Sequence, residues 1–182
     1  MKYIGILLSG LPGSGKSTAA RQLAPLLNWP ILYVGGLWRE KWKAQCPDGN
    51  PSWEQWNELI TPEQHKVMDE HARECLAKGH VIGDMWHEKI AEGLPILRVF
   101  ISAPLDIRAQ RATQTGRFEG KTIEEIKKLL QDREDTQAAN AKLLYGPSYD
   151  YRDPSLYHIV LNSGLLTVEE KVNSLLHFFK EE

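Results

Sequence analysis

The chain has 182 residues, 42% of them hydrophobic, and a formal net charge of −2 at pH 7. That length favours one domain with a real hydrophobic core, and the slightly acidic balance argues against a nucleic acid polymer as partner, which calls for a basic face. No apolar run is long enough to span a bilayer, and Cys46 and Cys75 stand far apart without metal-ligand spacing, as reduced thiols of a cytoplasmic protein do.

In chain order, the first predicted element is a buried strand over Tyr3–Ser9. The opening MKYIGILLSG has the apolar character of a short signal segment, but a glycine-rich loop follows at once without a cleavage site, which favours the strand. That loop, Gly10-Leu11-Pro12-Gly13-Ser14-Gly15-Lys16-Ser17, fits the P-loop pattern G-x-x-x-x-G-K-[ST] without a gap. Thr18 then leads into an amphipathic helix carrying Ala19, Ala20, Leu23, Leu26 and Leu27. Glycines let several N–H groups turn inward on one phosphate chain, and the helix N-terminus adds partial positive charge there. In such a loop the lysine, Lys16, reaches the β- and γ-phosphates and the Ser17 hydroxyl holds Mg²⁺. Gly10 through Thr18 are therefore the expected contacts of a nucleoside triphosphate, ATP, with Mg²⁺. The alternative is a strand-to-helix turn that binds nothing, and the filled motif between correct flanks weighs against it.

Further strands are predicted over Ile31–Val34, His80–Gly83, Ile96–Ser102 and Tyr157–Leu161, mostly short apolar runs of the kind covered on both faces. Helical signals fall between them, and the alternation predicts an α/β class with a mainly parallel sheet. Thr61-Pro62-Glu63-Gln64 combines an N-cap, a first-turn proline and a capping-box glutamine, and Gly79 is placed to end that helix. Thr122 with Glu125 and Thr167 with Glu170 make two further capping boxes. Residues 46–52 are turn-prone inside a long insert between the second and third strands, and residues 114–121 form a basic, glycine-flanked break between two helices. A small kinase needs mobile parts in such places to exclude water, although ordinary surface loops share this composition.

A P-loop by itself serves several reactions. The chain lacks a guanine-reading N-K-x-D motif and is short for most motor ATPase modules, so a small-substrate kinase fits best. Phosphoryl transfer runs on positioning and charge neutralisation, which draws attention to cations beyond Lys16. Arg39 follows the second strand, Arg108 and Arg111 share a helix face after the fourth, Arg117 sits in the glycine-flanked break, and Arg133 lies on the next helix. Ligands of α/β sheets collect at the C-terminal strand ends, near which Arg39, Arg108 and Arg111 begin. Asp84 stands where P-loop enzymes carry an acid that orients Mg²⁺ through water; a turn-capping aspartate is the plainer reading. The six tryptophans all fall in the first half and are expected to pack the insert onto the sheet. Trp38, beside Arg39, is the choice if one of them forms a stacking wall for the acceptor. The histidines show no ligand spacing and are read as structural or surface groups.

At this point the chain resembles the short-lid, archaeal-type cytidylate kinases among the nucleoside monophosphate kinases. The resemblance rests on the P-loop, on Gly35-Gly36-Leu37-Trp38-Arg39, on Val67-Met68-Asp69 and on Phe100-Ile101-Ser102-Ala103-Pro104. It continues through Asp132-Arg133-Glu134, Leu144-Tyr145-Gly146, Asp153-Pro154-Ser155-Leu156-Tyr157 and Ile159-Val160-Leu161-Asn162-Ser163. It implies a three-layer P-loop kinase fold, with helices on both faces of a five-stranded parallel sheet in the order 2-3-1-4-5. It further implies transfer of the ATP γ-phosphate to CMP or dCMP, with no obligate protein partner. Residues 1–182 then form one kinase domain with an acceptor-binding insert at about 35–79 and a short lid at about 112–122. The implied catalytic residues are Lys16, Arg111, Arg133 and Asp84; Arg108 joins the ATP contacts, and Gly35, Trp38, Arg39 and Asp84 face the acceptor. Two family arginines are missing, at Met85 and Asn140, and Arg117, Lys121 or Lys142 are the available substitutes. These gaps keep two other readings open, a P-loop kinase of a different small molecule and a nucleotide-binding module with weak turnover.

Overall fold

A computed structural model describes residues 2–116 and 118–181. Five strands, β1 (Gly5–Gly10), β2 (Ile31–Tyr33), β3 (Ile82–Asp84), β4 (Ile96–Ser102) and β5 (Ile159–Asn162), form one sheet in the order β2-β3-β1-β4-β5. Every pairing is parallel, so the expected order 2-3-1-4-5 is the observed one. All of β1 is buried, and its side chains alternate between the two faces. Ile6 and Leu8 pack with Ala19, Ala20 and Leu23 of α1 (Lys16–Leu27) and with Val172, Leu175 and Phe179 of α7 (Val168–Glu181). Leu7 faces the other way, toward Val34, Trp38, Ala72 and Leu76.

Three predicted strands start later than expected, each for a local reason. The first begins at Gly5 because the Ile4 amide bonds to the Pro95 carbonyl, at 2.8 Å, outside the ladder. The third begins at Ile82 because His80 holds a left-handed φ of 53° and prolongs the turn after Gly79, whose φ is 73°. The fifth begins at Ile159 because Pro154–Leu156 form a 3-10 turn closed by the Tyr157 amide on the Pro154 carbonyl.

The insert between β2 and β3 is helical. It consists of α2 (Val34–Gln45), α3 (Trp53–Glu58) and α4 (Pro62–Ala77), with residues 46–52 as the link between the first two. The predicted Thr61 capping box starts α4, and an additional one, Ser52 with Gln55, starts α3. Three of the tryptophans hold the insert to the sheet: Trp38 is core, and Trp53 and Trp56 pack against the same cluster as Leu7 and Ile96. Trp29 packs instead near Phe179 and Trp86 near Phe100 and Tyr151. Beyond β4 come α5 (Leu105–Thr113) and the 23-residue α6 (Ile123–Tyr145), started by the Thr122 capping box; α6 packs Ala138 and Ala141 against Phe100 of the sheet and Ile126 and Leu130 against α5. The break between them turns around Phe118; Arg117 lies outside the described residues. Cys46 and Cys75 are free thiols, and no helix among the described residues is long and apolar enough to cross a membrane.

Candidate active site

The loop after β1 is pinned to the sheet by the Leu11 amide on the Ile101 carbonyl at 3.2 Å. Gly10 tolerates no side chain, because a Cβ there would stand 2.0 Å from the Ile101 carbonyl oxygen. Gly15 caps α1 at φ 92° and offers no side-chain acceptor to the first-turn amides. Those amides are left for an anion, which is the use a helix start on a P-loop makes of them.

Lys16 folds back over this loop, donating from Nζ to the carbonyls of Gly10 at 2.7 Å and Leu11 at 2.9 Å. Burial lowers its pKa to about 8, against an opposing pull from Asp84, while Arg133 and Arg108 reinforce the lowering. Asp84 ends β3, 3% exposed. Its carboxyl is pushed above the usual range by burial, opposed by Lys16, by hydrogen bonding from Ser17 and by the Arg21 and Arg133 charges. The structure therefore sets Lys16, Ser17 and Asp84 side by side from α1 and β3, with Arg133 of α6 near enough to act on Lys16 and Asp84 by its charge. This donor set, a hydroxyl and a buried acid beside a lysine, suits a hydrated Mg²⁺ and a phosphate chain.

Arg111 lies on the outer wall of the loop. Its guanidinium donates to Ser163 Oγ at 2.8 Å, to the Ser163 carbonyl at 2.6 Å and, more weakly, to the Ser14 carbonyl at 3.4 Å. Ser163 Oγ donates to that Ser14 carbonyl as well, at 2.7 Å. The residue after β5 thus holds the loop in place, through a serine that the sequence offered only as the end of a family-like segment.

Two expected site residues are corrected, Arg108 and Trp38, and the structure gives Gly35 a further, structural part. Arg108, read as an ATP contact, is 4% exposed and fully engaged in the fold. It donates to the Ala103 carbonyl at 3.0 Å, the Pro12 carbonyl at 3.2 Å and Glu134 Oε2 at 3.0 Å. A guanidinium buried this way is retained by its carboxylate and serves to anchor the loop from below. Trp38, read as a stacking wall, is 7% exposed, edge-on to Trp56 and His65 in the core, so its faces are already covered. Gly35, read as an acceptor contact, lies with Gly36 in the first turn of α2, and both make room for the Tyr33 ring. A Cβ on Gly36 would stand 2.7 Å from that ring.

Arg39 remains half-exposed on α2, donating to the Tyr33 hydroxyl at 2.8 Å with its guanidinium 5.2 Å from the Trp53 ring centre. Of the two positions where arginines are missing, Met85 is core and Asn140 is half-buried where α6 meets the α3–α4 junction.

Sequence reasoning missed a polar network beyond β3. His87 Nε2 stands 3.6 Å from Asp69 of α4, which also accepts the Tyr145 hydroxyl. Buried Glu88 accepts the Tyr149 hydroxyl at 2.7 Å and lies 3.3 Å from that of Tyr157. Tyr157 in turn donates to the Tyr151 carbonyl and touches Ser9 Oγ at 3.1 Å, directly below the P-loop. Burial, with the neighbouring carboxylates, raises the pKa of Tyr145, Tyr149 and Tyr157. A cleft of about 210 Å³, with Lys66, Asp69, Arg73, Lys89 and Tyr145 in its wall, opens beside this network. Asp69, Tyr145 and Tyr157 stand in segments that carry the family resemblance, but nothing there joins them to His87 and Glu88, whose tyrosine partners lie far along the chain, as Tyr149 does from Glu88 at a separation of 61.

Among known proteins, the family described as an AAA domain matches residues 6–135. A cytidylate kinase of Methanopyrus kandleri is 30% identical, over 93% of this chain and 90% of its own length. One from Thermococcus sibiricus is 32% identical, over 89% and 80%. The solved shikimate kinase from Bacteroides thetaiotaomicron shares the fold, with a TM-score of 0.64 at 16% identity over 97% of this chain and 98% of that one.

Proposed function

This chain belongs to the P-loop kinase family that includes the cytidylate kinases, and on that premise we propose that it moves the γ-phosphate of ATP to the phosphate of a nucleoside monophosphate, CMP or dCMP first. The observation that carries the reading is the convergence of Lys16, Ser17, Asp84 and Arg133 at the ends of β1 and β3.

The acceptor's phosphate has a second pKa of about 6, so at neutral pH it is mostly a dianion and needs no general base. One of its oxygens forms the new bond to the γ-phosphorus as the bond to the bridging oxygen breaks, releasing ADP. Lys16 leaves its two carbonyls to follow the transferring charge, and Arg133 adds a second cation from α6. Asp84 keeps Lys16 charged and oriented. The Ser17 hydroxyl and Asp84 would hold Mg²⁺, which would supply charge neutralisation. Arg39, propped on Tyr33 and Trp53, is the acceptor-phosphate cation. In this reading residues 1–182 act as one kinase domain, the insert carries the acceptor and residues 112–122 the lid.

A second reading, a kinase of a different small molecule, is favoured by Met85 and Asn140. They leave the acceptor side short of cations, and the raised pKa of Asp84 suits a proton acceptor for an alcohol. ADP release measured over a panel of nucleoside monophosphates, sugars and polyols separates the two. The proposal expects the fastest turnover with CMP or dCMP; stimulation by an alcohol alone overturns it.

A further inference from the structure

Lys171 sits one turn into α7 and is 2% exposed. Long ammonium side chains rarely go so deep without a carboxylate or carbonyl to receive them. Among the described residues Lys171 has neither, and the charge that acts on it is the like charge of Arg111. The capping box at Thr167, with Val172 and Leu175 turned into the core, fixes α7 so that this side chain points at the P-loop. Its Nζ lies 3.3 Å from where a Cβ on Gly15 would stand, and Arg111 Nη1 lies 4.0 Å from the same point.

One residue earlier, Ser14 is fully buried and its Oγ has no hydrogen-bond partner. The ammonium and the guanidinium thus stand together beside Gly15, the residue after the idle Ser14 hydroxyl, and no carboxylate among the described residues is paired with Lys171. Such an arrangement is unfavourable in the empty protein. It becomes favourable when an anion arrives, because charge-assisted hydrogen bonds are strong where water is excluded.

We propose that Lys171, together with the Ser14 hydroxyl, binds a phosphoryl oxygen of the donor nucleotide and so sets the affinity for ATP and ADP. The inference rests on the reading of this loop as the ATP site and adds to it a residue outside the P-loop motif. Lys171 is a binding residue here; it need not touch the transferring group.

The test compares Lys171→Met, which keeps the stem and removes the charge, with Lys171→Arg, which keeps the charge. ADP is titrated calorimetrically into each variant and the wild type, and unfolding is followed with and without ADP. Lys171→Met is expected to bind ADP about tenfold more weakly, in line with one lost charged hydrogen bond. Its nucleotide-free melting temperature should stay level or rise, since a lone buried charge has gone, while the shift produced by ADP shrinks. Lys171→Arg should recover most of the affinity, and the acceptor KM should not move.

Unchanged ADP affinity in Lys171→Met overturns the inference, as does equal weakening in both variants with a lowered nucleotide-free melting temperature, which marks a packing role. Stabilisation of the wild type by inorganic phosphate, with ADP affinity independent of Lys171, assigns the cations to a separate anion and also overturns it. If the folded wild type binds neither ADP nor ATP, the reading of the loop itself fails. That outcome is distinct from a wild type that binds and a Lys171→Met variant that binds equally well.

Discussion

The two halves of this cleft are made differently. The phosphate-cradling half is contiguous chain: Gly10 to Thr18 carry its amides, its lysine and its hydroxyl, and β1 and α1 hold them from either side. The half we propose for the acceptor is assembled from α2, α3, α4 and the end of α6, and its parts meet through aromatic packing and long side-chain bonds. Backbone amides positioned by a glycine turn depend little on distant residues. An arginine resting on Trp53 and Tyr33 depends on all that places them.

The largest expected effect tests the cradle. Lys16→Ala should lower kcat/KM by about 10²- to 10³-fold, the scale for removing one charge-stabilising group from a transition state, with the far-ultraviolet circular dichroism unchanged. An active Lys16→Ala enzyme breaks the comparison at its secure end.

Next comes the support beneath the cradle. Arg108→Ala leaves Glu134 buried with only Arg152, at 3.5 Å, to face it. Loss of such a partner is expected to cost about 3 kcal/mol, or roughly 10 °C in the melting temperature. If Arg108 instead met ATP, stability would hold and only the KM for ATP would rise.

Arg39→Ala addresses the acceptor half and should raise the acceptor KM by roughly tenfold, the loss of one charge-assisted contact. ADP binding by titration should be unaltered. Weakening of both substrates alike would mean that the halves are coupled through α2.

The smallest effect is a pH dependence. Lys16 has a pKa lowered to about 8, so its charged form is lost as pH rises through that value, and kcat/KM for ATP should decline above pH 8. Asp84 has a raised pKa, so its ionised form is lost on acidification sooner than for an ordinary aspartate. The acid limb should accordingly sit above the usual carboxylate range. Lys16→Arg should move the alkaline limb out of range, and an unmoved limb assigns it to another group.

Much of the fold was legible because its signals are local. The Thr61, Thr122 and Thr167 boxes each use a side chain three residues from the amide it serves, and each starts the helix predicted for it. The parallel sheet order came from the resemblance and agrees with the pairing of β1 to β3 and β4. Strand starts were less legible, since the left-handed turn at His80 and the 3-10 turn at Pro154 leave little trace in an apolar run.

The chain by itself determined the P-loop that we propose as the phosphate cradle, because the chemistry of a P-loop is backbone chemistry on consecutive residues. Only the tertiary structure decided which charges belong to the site. Arg108 and Arg111 are one turn apart on α5, yet one is buried against Glu134 and the other reaches the loop's outer wall. Lys171 belongs to no motif of the sequence, and the packing of α7 on α1 buries it beside Gly15. Burial and counter-charge are properties of neighbours brought together across the sheet, and they determine whether a cation holds the fold or awaits a phosphate.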